Sequence, residues 1–208
     1  MQKLALTFCF GLLWTFSINA QEVPRFAFNM GAGFTEPVGN TGGHLDTGWN
    51  AGVGAGYNFS NRFGALVQWN FNDFGINRTT LNNVGFPDGT VRIWSLTLDP
   101  IVHLTPRSKA DIYVVGGGGL YHRTQEFTAP TVATVTGFDP FLGFVPVNVA
   151  ANQVLASNTI NKPGFNAGVG VAFGTKWNAK VFAEARYNRM FIGDFHYDYL
   201  PVTFGIRW

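Results

Sequence analysis

Residues 48–59 read GWNAGVGAGYNF. Trp49, Ala51, Val53, Ala55, Tyr57 and Phe59 fall on one parity, and Asn50, Gly52, Gly54, Gly56 and Asn58 on the other. A period of two is that of a β-strand, whose successive side chains point to opposite faces. One face is apolar with aromatics toward its ends. The other is small and uncharged, where a solvated face would carry Lys and Glu.

The pattern recurs on both sides of this stretch. RFAFNMGAGF (25–34) and RFGALVQWNF (62–71) repeat it, as do VRIWSLTLDPIVHL (91–104) and ADIYVVGGGGLYHR (110–123). GFNAGVGVAFGTKW (164–177), KVFAEARYNRM (180–190) and YDYLPVTFGIRW (197–208) complete eight segments. Alternation alone does not say where the apolar face points. In a soluble barrel it faces inward, and in a membrane barrel it faces lipid. A secreted lipocalin-like barrel or sandwich is therefore the competing reading.

Composition favours the membrane. The chain has 208 residues, enough for one domain, of which 12% are charged. Ordinary soluble domains carry about 25%, which is what a solvated coat requires. Aromatics are abundant (21 Phe, 6 Trp, 6 Tyr) and cluster toward segment ends, Trp177 among them, as a membrane-interface girdle would. The net charge of +2 gives no reason to expect nucleic acid. Residues 1–20 read as a secretory signal: Lys3, then the apolar run LALTFCFGLLWTF, then SINA ending at Ala20. Residues 21–208 are then a mature barrel domain with no cysteine, so an exported chain without disulfides.

Connection lengths alternate. Long ones are expected at 35–47, 72–90, 124–163 and 190–197, and short ones at 60–61, 105–109 and 178–179. Short periplasmic turns and long external loops are how outer-membrane barrels are built. With its terminal strand ending in Trp208, the FAEARY strand (182–187) and SLTLDPIVHL (95–104), the mature chain resembles small outer-membrane barrels of the OmpA-like or OmpX-like type. The resemblance implies that Phe204, Ile206 and Trp208 form the signal read by the barrel-assembly machinery, although that family prefers a final Phe. It also implies a terminal strand that closes against the first. A peptidoglycan-binding domain is not expected, since no residues follow that strand. The expected fold is an all-β, eight-stranded antiparallel up-and-down transmembrane barrel in contact with outer-membrane lipid.

Interior parity collects charge. Arg62, Asp99, Asp111, Arg123, Lys176, Glu184, Arg186 and Arg207 all fall on the small, polar face. Buried charges must pair, so these residues are expected to form a lattice with Asn, Tyr and Gln serving the remaining sites. The leading reading is a plug that also sets strand register. The alternative is a narrow pore for small or hydrophobic solutes, its walls tuned by the same charges. Asp194, His196 and Asp198 share a parity and make a weak metal candidate, His44 and Asp46 a weaker one. No motif calls for a cofactor. Lipid-modifying chemistry would need a His beside a Ser or an acid, and Ser95 and His103 lie too far apart on one strand. GGGG at 116–119 lacks a following GK[ST] and is read as strand bending or tight packing.

Residues 124–163 are apolar and nearly uncharged, unlike a solvated loop. Three arrangements are open: extension of the fifth and sixth strands, folding into the mouth as a lid or gate, or a binding surface for a partner the sequence does not name. The leading function is a non-enzymatic surface or structural role through the external loops. A membrane barrel requires detergent for extraction, and its unboiled band migrates apart from the boiled one on electrophoresis. A soluble periplasmic protein does neither.

Overall fold

The computed structural model describes residues 25–175 and 179–208. Residues 1–20, read as a signal, together with Lys176 and Trp177, lie outside the described residues. Eight strands run in chain order: β1 (Phe26–Val38), β2 (Gly48–Asn58), β3 (Phe63–Gly75), β4 (Asp88–His103), β5 (Ala110–Asp139), β6 (Gly143–Gly174), β7 (Lys180–Ile192) and β8 (Phe195–Arg207). Each pairs antiparallel with the next, and β8 pairs with β1 to close the ring. The closing ladder runs from Val38↔Asp198 to Asn29↔Arg207. Two further bonds between Phe28 and Trp208, at 2.9 and 3.2 Å, extend it to the last residue.

The apolar parity faces outward. Val53, Val67, Leu96, Leu98 and Val169 form an exposed belt. Aromatics bracket it. Phe26, Tyr57 and Phe59 pack edge-on and tilted at the end holding the termini, with centroids 5.5–5.7 Å apart. Trp49, Phe71, Trp94 and Trp69 form the other girdle, at 4.5–5.0 Å. Beyond that second girdle the faces exchange character. Asp73, Arg92, Arg189 and Asp198 take the outward parity, while Phe74, Ile93, Met190 and Tyr199 turn inward and are buried. The exchange marks the edge of the belt on four strands.

The connections correct the expected pattern. Residues 124–163 take the first of the three open arrangements in place of a loop: β5 and β6 extend as a two-stranded ribbon to a turn at 140–142. Away from the barrel neither face covers a core, so hydrophobic alternation fades and the strands resemble a loop in sequence. The 190–197 connection is a two-residue turn at Gly193 and Asp194, with φ +61° at Gly193, the conformation tight hairpins demand. The 72–90 connection contains a helix, α1 (Arg78–Val84), N-capped by Asn77, which accepts from the Thr80 N–H at 2.8 Å.

The belt gives a direct test. Val67→Arg, at mid-belt, is expected to destabilise the barrel by about 2–4 kcal/mol in urea unfolding from vesicles, and Thr90→Arg, beyond the girdle, by about 1 kcal/mol or less.

Candidate functional site: the lumen and the ribbon

The lumen is filled in three levels. Nearest the termini lies an apolar layer of Ala27, Leu66, Ile101, Tyr113, Val115, Ala172 and Phe182. At the far end a second layer joins Phe74, Val91, Ile93, Tyr121, Met190 and Tyr199 to three residues from connections, Leu45, Ile76 and Leu81. Those connections are tied together. Leu45 bridges to Ile76, the Asn77 N–H donates to the His44 carbonyl at 3.0 Å, and Asn77 Nδ2 to the Gly43 carbonyl at 2.8 Å.

Charge fills the middle. Asp99 accepts from Thr97 Oγ1 and Asn166 Nδ2, both at 2.8 Å, and from Arg186 Nη1 at 2.7 Å. Arg186 Nε donates to Glu184, whose second oxygen lies 3.8 Å from Arg207 Nη2. The Arg207 guanidinium rests over the rings of Tyr113 and Phe182, 4.6 and 5.2 Å from their centroids. Two carboxylates thus meet two guanidiniums in a neutral cluster. Glycines across the ladders make room for it. Across from Arg186, a Cβ on Gly168 would collide with that side chain, and one on Gly117 with the Leu98 carbonyl and the Asp99 carboxylate, whereas Gly170, across from Glu184, makes room for the Tyr113 ring. On the opposite wall Thr35, Asn50, Asn72 and Thr203 form a hydrogen-bonded chain, at 2.8–3.1 Å. Between this wall and the Glu184–Arg186 pair remains a cavity of about 30 Å³, room for one or two waters.

Asp99, Glu184, Arg186 and Arg207 are therefore brought together, and the other lattice candidates are not. Asp111 forms its own group with His103 Nδ1 at 2.8 Å and Lys180 Nζ at 3.0 Å. Lys180 was missed in the sequence, though it shares the inward parity of Glu184. Arg123 sits far up the lumen, bonded to Gln125 at 2.6 Å and stacked 4.7 Å over Tyr197. Arg62 is a correction: it lies exposed in the β2–β3 turn, because the inward parity begins only at Gly64, inside the first rung of β3. Phe204, Ile206 and Trp208 all face outward from the closing strand.

The metal candidate separates. Asp198 is taken by Arg189, at 2.8 and 2.9 Å, with His196 Nε2 at 3.2 Å, and Asp194 does not join them. No group of three or more metal-ligating side chains occurs among the described residues. Ring nitrogens of the four histidines meet Thr80, Asp111, Asn161 with Thr124, and Asp198; none of these contacts reaches a serine, and the two acids are also held by Lys180 and Arg189.

The ribbon is the second candidate. β4 pairs with β5 only as far as Thr128, and β7 with β6 only from Gly164. Past the rim Thr128–Asp139 pairs with Gly143–Val154, twelve residues a side, or about 40 Å at ~3.4 Å per residue. At the tip Asp139 Oδ1 accepts the Phe141 and Leu142 N–H groups at 2.8 and 2.9 Å. The Phe141 bond, then the Leu142 bond, hold this carboxyl below the usual range. The depressed value means that the two bonds are intact above ordinary carboxylate titration and are lost only as pH falls through the lowered pKa.

Removing one member of the ion cluster strands the others. Glu184→Ala is expected to cost about 3–5 kcal/mol in urea unfolding, because it leaves Arg186 and Arg207 under-paired. Glu184→Gln, which keeps an acceptor, is expected to cost less.

The family model for the outer membrane protein beta-barrel domain matches residues 8–207. Among solved structures, neisserial surface protein A superposes with a TM-score of 0.57 at 15% identity, over 88% of this chain and 95% of that one. Ail, the attachment invasion locus protein of Yersinia pestis, gives 0.51 at 13%, over 89% and 100%. A major outer membrane protein of Thermus thermophilus gives 0.50 at 10%, over 88% and 98%. At such identities these likenesses speak to the fold alone. No curated protein sequence matches. The chain is a bacterial outer-membrane protein and belongs to the outer membrane protein beta-barrel domain family.

Proposed function

We propose that this protein is a non-conducting, non-catalytic barrel that acts at the cell surface through its β5–β6 ribbon. The observation supporting this most is a contrast within one chain: a lumen filled at three levels beside a ribbon whose apolar tip is exposed. Conduction of ions needs a wettable path from end to end. Here apolar clusters lie on both sides of the ion cluster, the one nearer the termini sharing a rung with the paired Asp111, and the cavity beside Glu184 and Arg186 is about 30 Å³. Catalysis needs a nucleophile or base free to meet a substrate in a cleft. Asp99, Glu184 and Asp111 instead meet Arg186, Arg207 and Lys180. On this reading residues 1–20 are an export signal, and Phe204, Ile206 and Trp208 are what the barrel-assembly machinery recognises.

Two measurements test the proposal. Refolded protein in a planar bilayer is expected to be electrically silent, and discrete reproducible openings would overturn the closed-lumen half. In the second, Thr131–Ala151 is replaced by Asn-Gly, joining the paired residues Pro130 and Asn152 by a tight turn. Cells displaying the shortened chain are expected to attach to alkyl-silanised glass several-fold less than cells displaying the full one. Equal attachment would refute the ribbon's role.

A further inference from the structure

We propose that the ribbon tip inserts into the surface of a second, facing lipid bilayer with zwitterionic headgroups. This rests on the ribbon being the working part of the molecule and names what it works on. Phe138, Phe141, Leu142 and Phe144 are 70%, 96%, 76% and 78% exposed, all within one short turn and its flanks. The Phe138 and Phe144 rings pack edge to face, 5.5 Å apart, and brace the base from which Phe141 and Leu142 project.

The N–H donors of this turn carry their own partners. Groups entering hydrocarbon must bring their hydrogen-bond partners with them. The ladder runs to its last pair, Asp139↔Gly143, leaving Pro140, Phe141 and Leu142 in the turn. Pro140 has no N–H. The other two N–H groups both donate to Asp139. Every turn N–H is thus either absent or satisfied within the tip.

Charge selects the kind of surface. Between Phe127 and Asn161 the only ionisable side chain is Asp139, and its Oδ1 already serves the turn. Such a ribbon offers no ion pairs by which to choose a protein or an acidic glycan. An anionic membrane would call for Lys or Arg beside the apolar residues. Shape agrees: apolar side chains fanned around a convex turn suit a fluid phase that closes around them. Reach is compatible with a facing surface, since the ribbon past the rim is about 40 Å long at ~3.4 Å per residue.

The test uses refolded protein in lipid nanodiscs, mixed with phosphatidylcholine vesicles and floated on a density gradient. Protein-bearing nanodiscs are expected to float with the vesicles and empty ones to stay behind. Phe141→Ser combined with Leu142→Ser is expected to lower the floating fraction at least tenfold, and Phe138→Ser combined with Phe144→Ser to lower it as well. Heat-dependent mobility verifies that each variant's barrel is folded. Phe141→Trp supplies a fluorophore whose emission shifts to the blue on adding vesicles. No flotation, or equal flotation of wild type and the Phe141/Leu142 variant, overturns the proposal. A blue shift in nanodiscs without vesicles also overturns it, by placing the tip in its own membrane. If flotation fails while ribbon-dependent attachment to glass persists, the lipid inference alone falls and the ribbon's surface role stands.

Discussion

In hydrocarbon no water is available to a bare peptide group, so a spanning sheet must leave no edge. The pairing of β8 with β1 meets that requirement, and the rest of the barrel depends on it. Neither strand is charged where the two pair within the belt, except for the inward Arg207, and Gly31 faces Gly205 across the seam. A Cβ on either glycine would run into the partner strand. The seam is therefore close-packed as well as hydrogen-bonded, and Trp208 fastens its end to Phe28.

Closing eight strands creates a second problem, an interior just wide enough for side chains and too narrow to be left empty. Here it is solved by layering. Apolar groups occupy the two ends, where inward residues can pack against one another or against docked connections. The middle level belongs to charges, and glycines on neighbouring strands accommodate Asp99, Arg186 and the Tyr113 ring. Ion pairs in such surroundings add little net stability over apolar packing, but breaking one is costly. Their strongest effect is on register. A slip of one residue would carry Glu184 and Arg186 to the outer face and into lipid.

Much of this was legible in the sequence because the membrane imposes a strict period of two. Trp49 through Phe59 showed it most cleanly, and the strand count, direction and inward placement of Asp99, Glu184 and Arg186 followed. What could not be read lies where that constraint ends. Beyond the girdle, Phe74, Ile93 and Met190 turn inward while Asp73, Arg92 and Arg189 turn outward, so a reader expecting one phase per strand loses the upper apolar layer. Leu45 and Leu81 enter that layer from connections, which carry no periodicity. Lys180 on β7 pairs with Asp111 on β5 past the intervening β6, a contact no single-strand pattern reveals.

The ribbon shows the same constraint from its other side. Within the belt β5 and β6 are each paired on both edges, as hydrocarbon requires. Above the rim water can serve a free edge, and pairing on the outer edges stops: β6 is open on its β7 side from Gly143 to Pro163. Soluble proteins commonly guard such edges with Lys or with inward charges. This ribbon has only Lys162 near its base, with Pro130 and Pro146 interrupting the N–H rows farther out. Those prolines discourage unplanned strand addition along the shaft while leaving the apolar tip untouched. An edge made poor at pairing and a tip whose own turn donors are already satisfied together direct contact to the end of the ribbon rather than its sides.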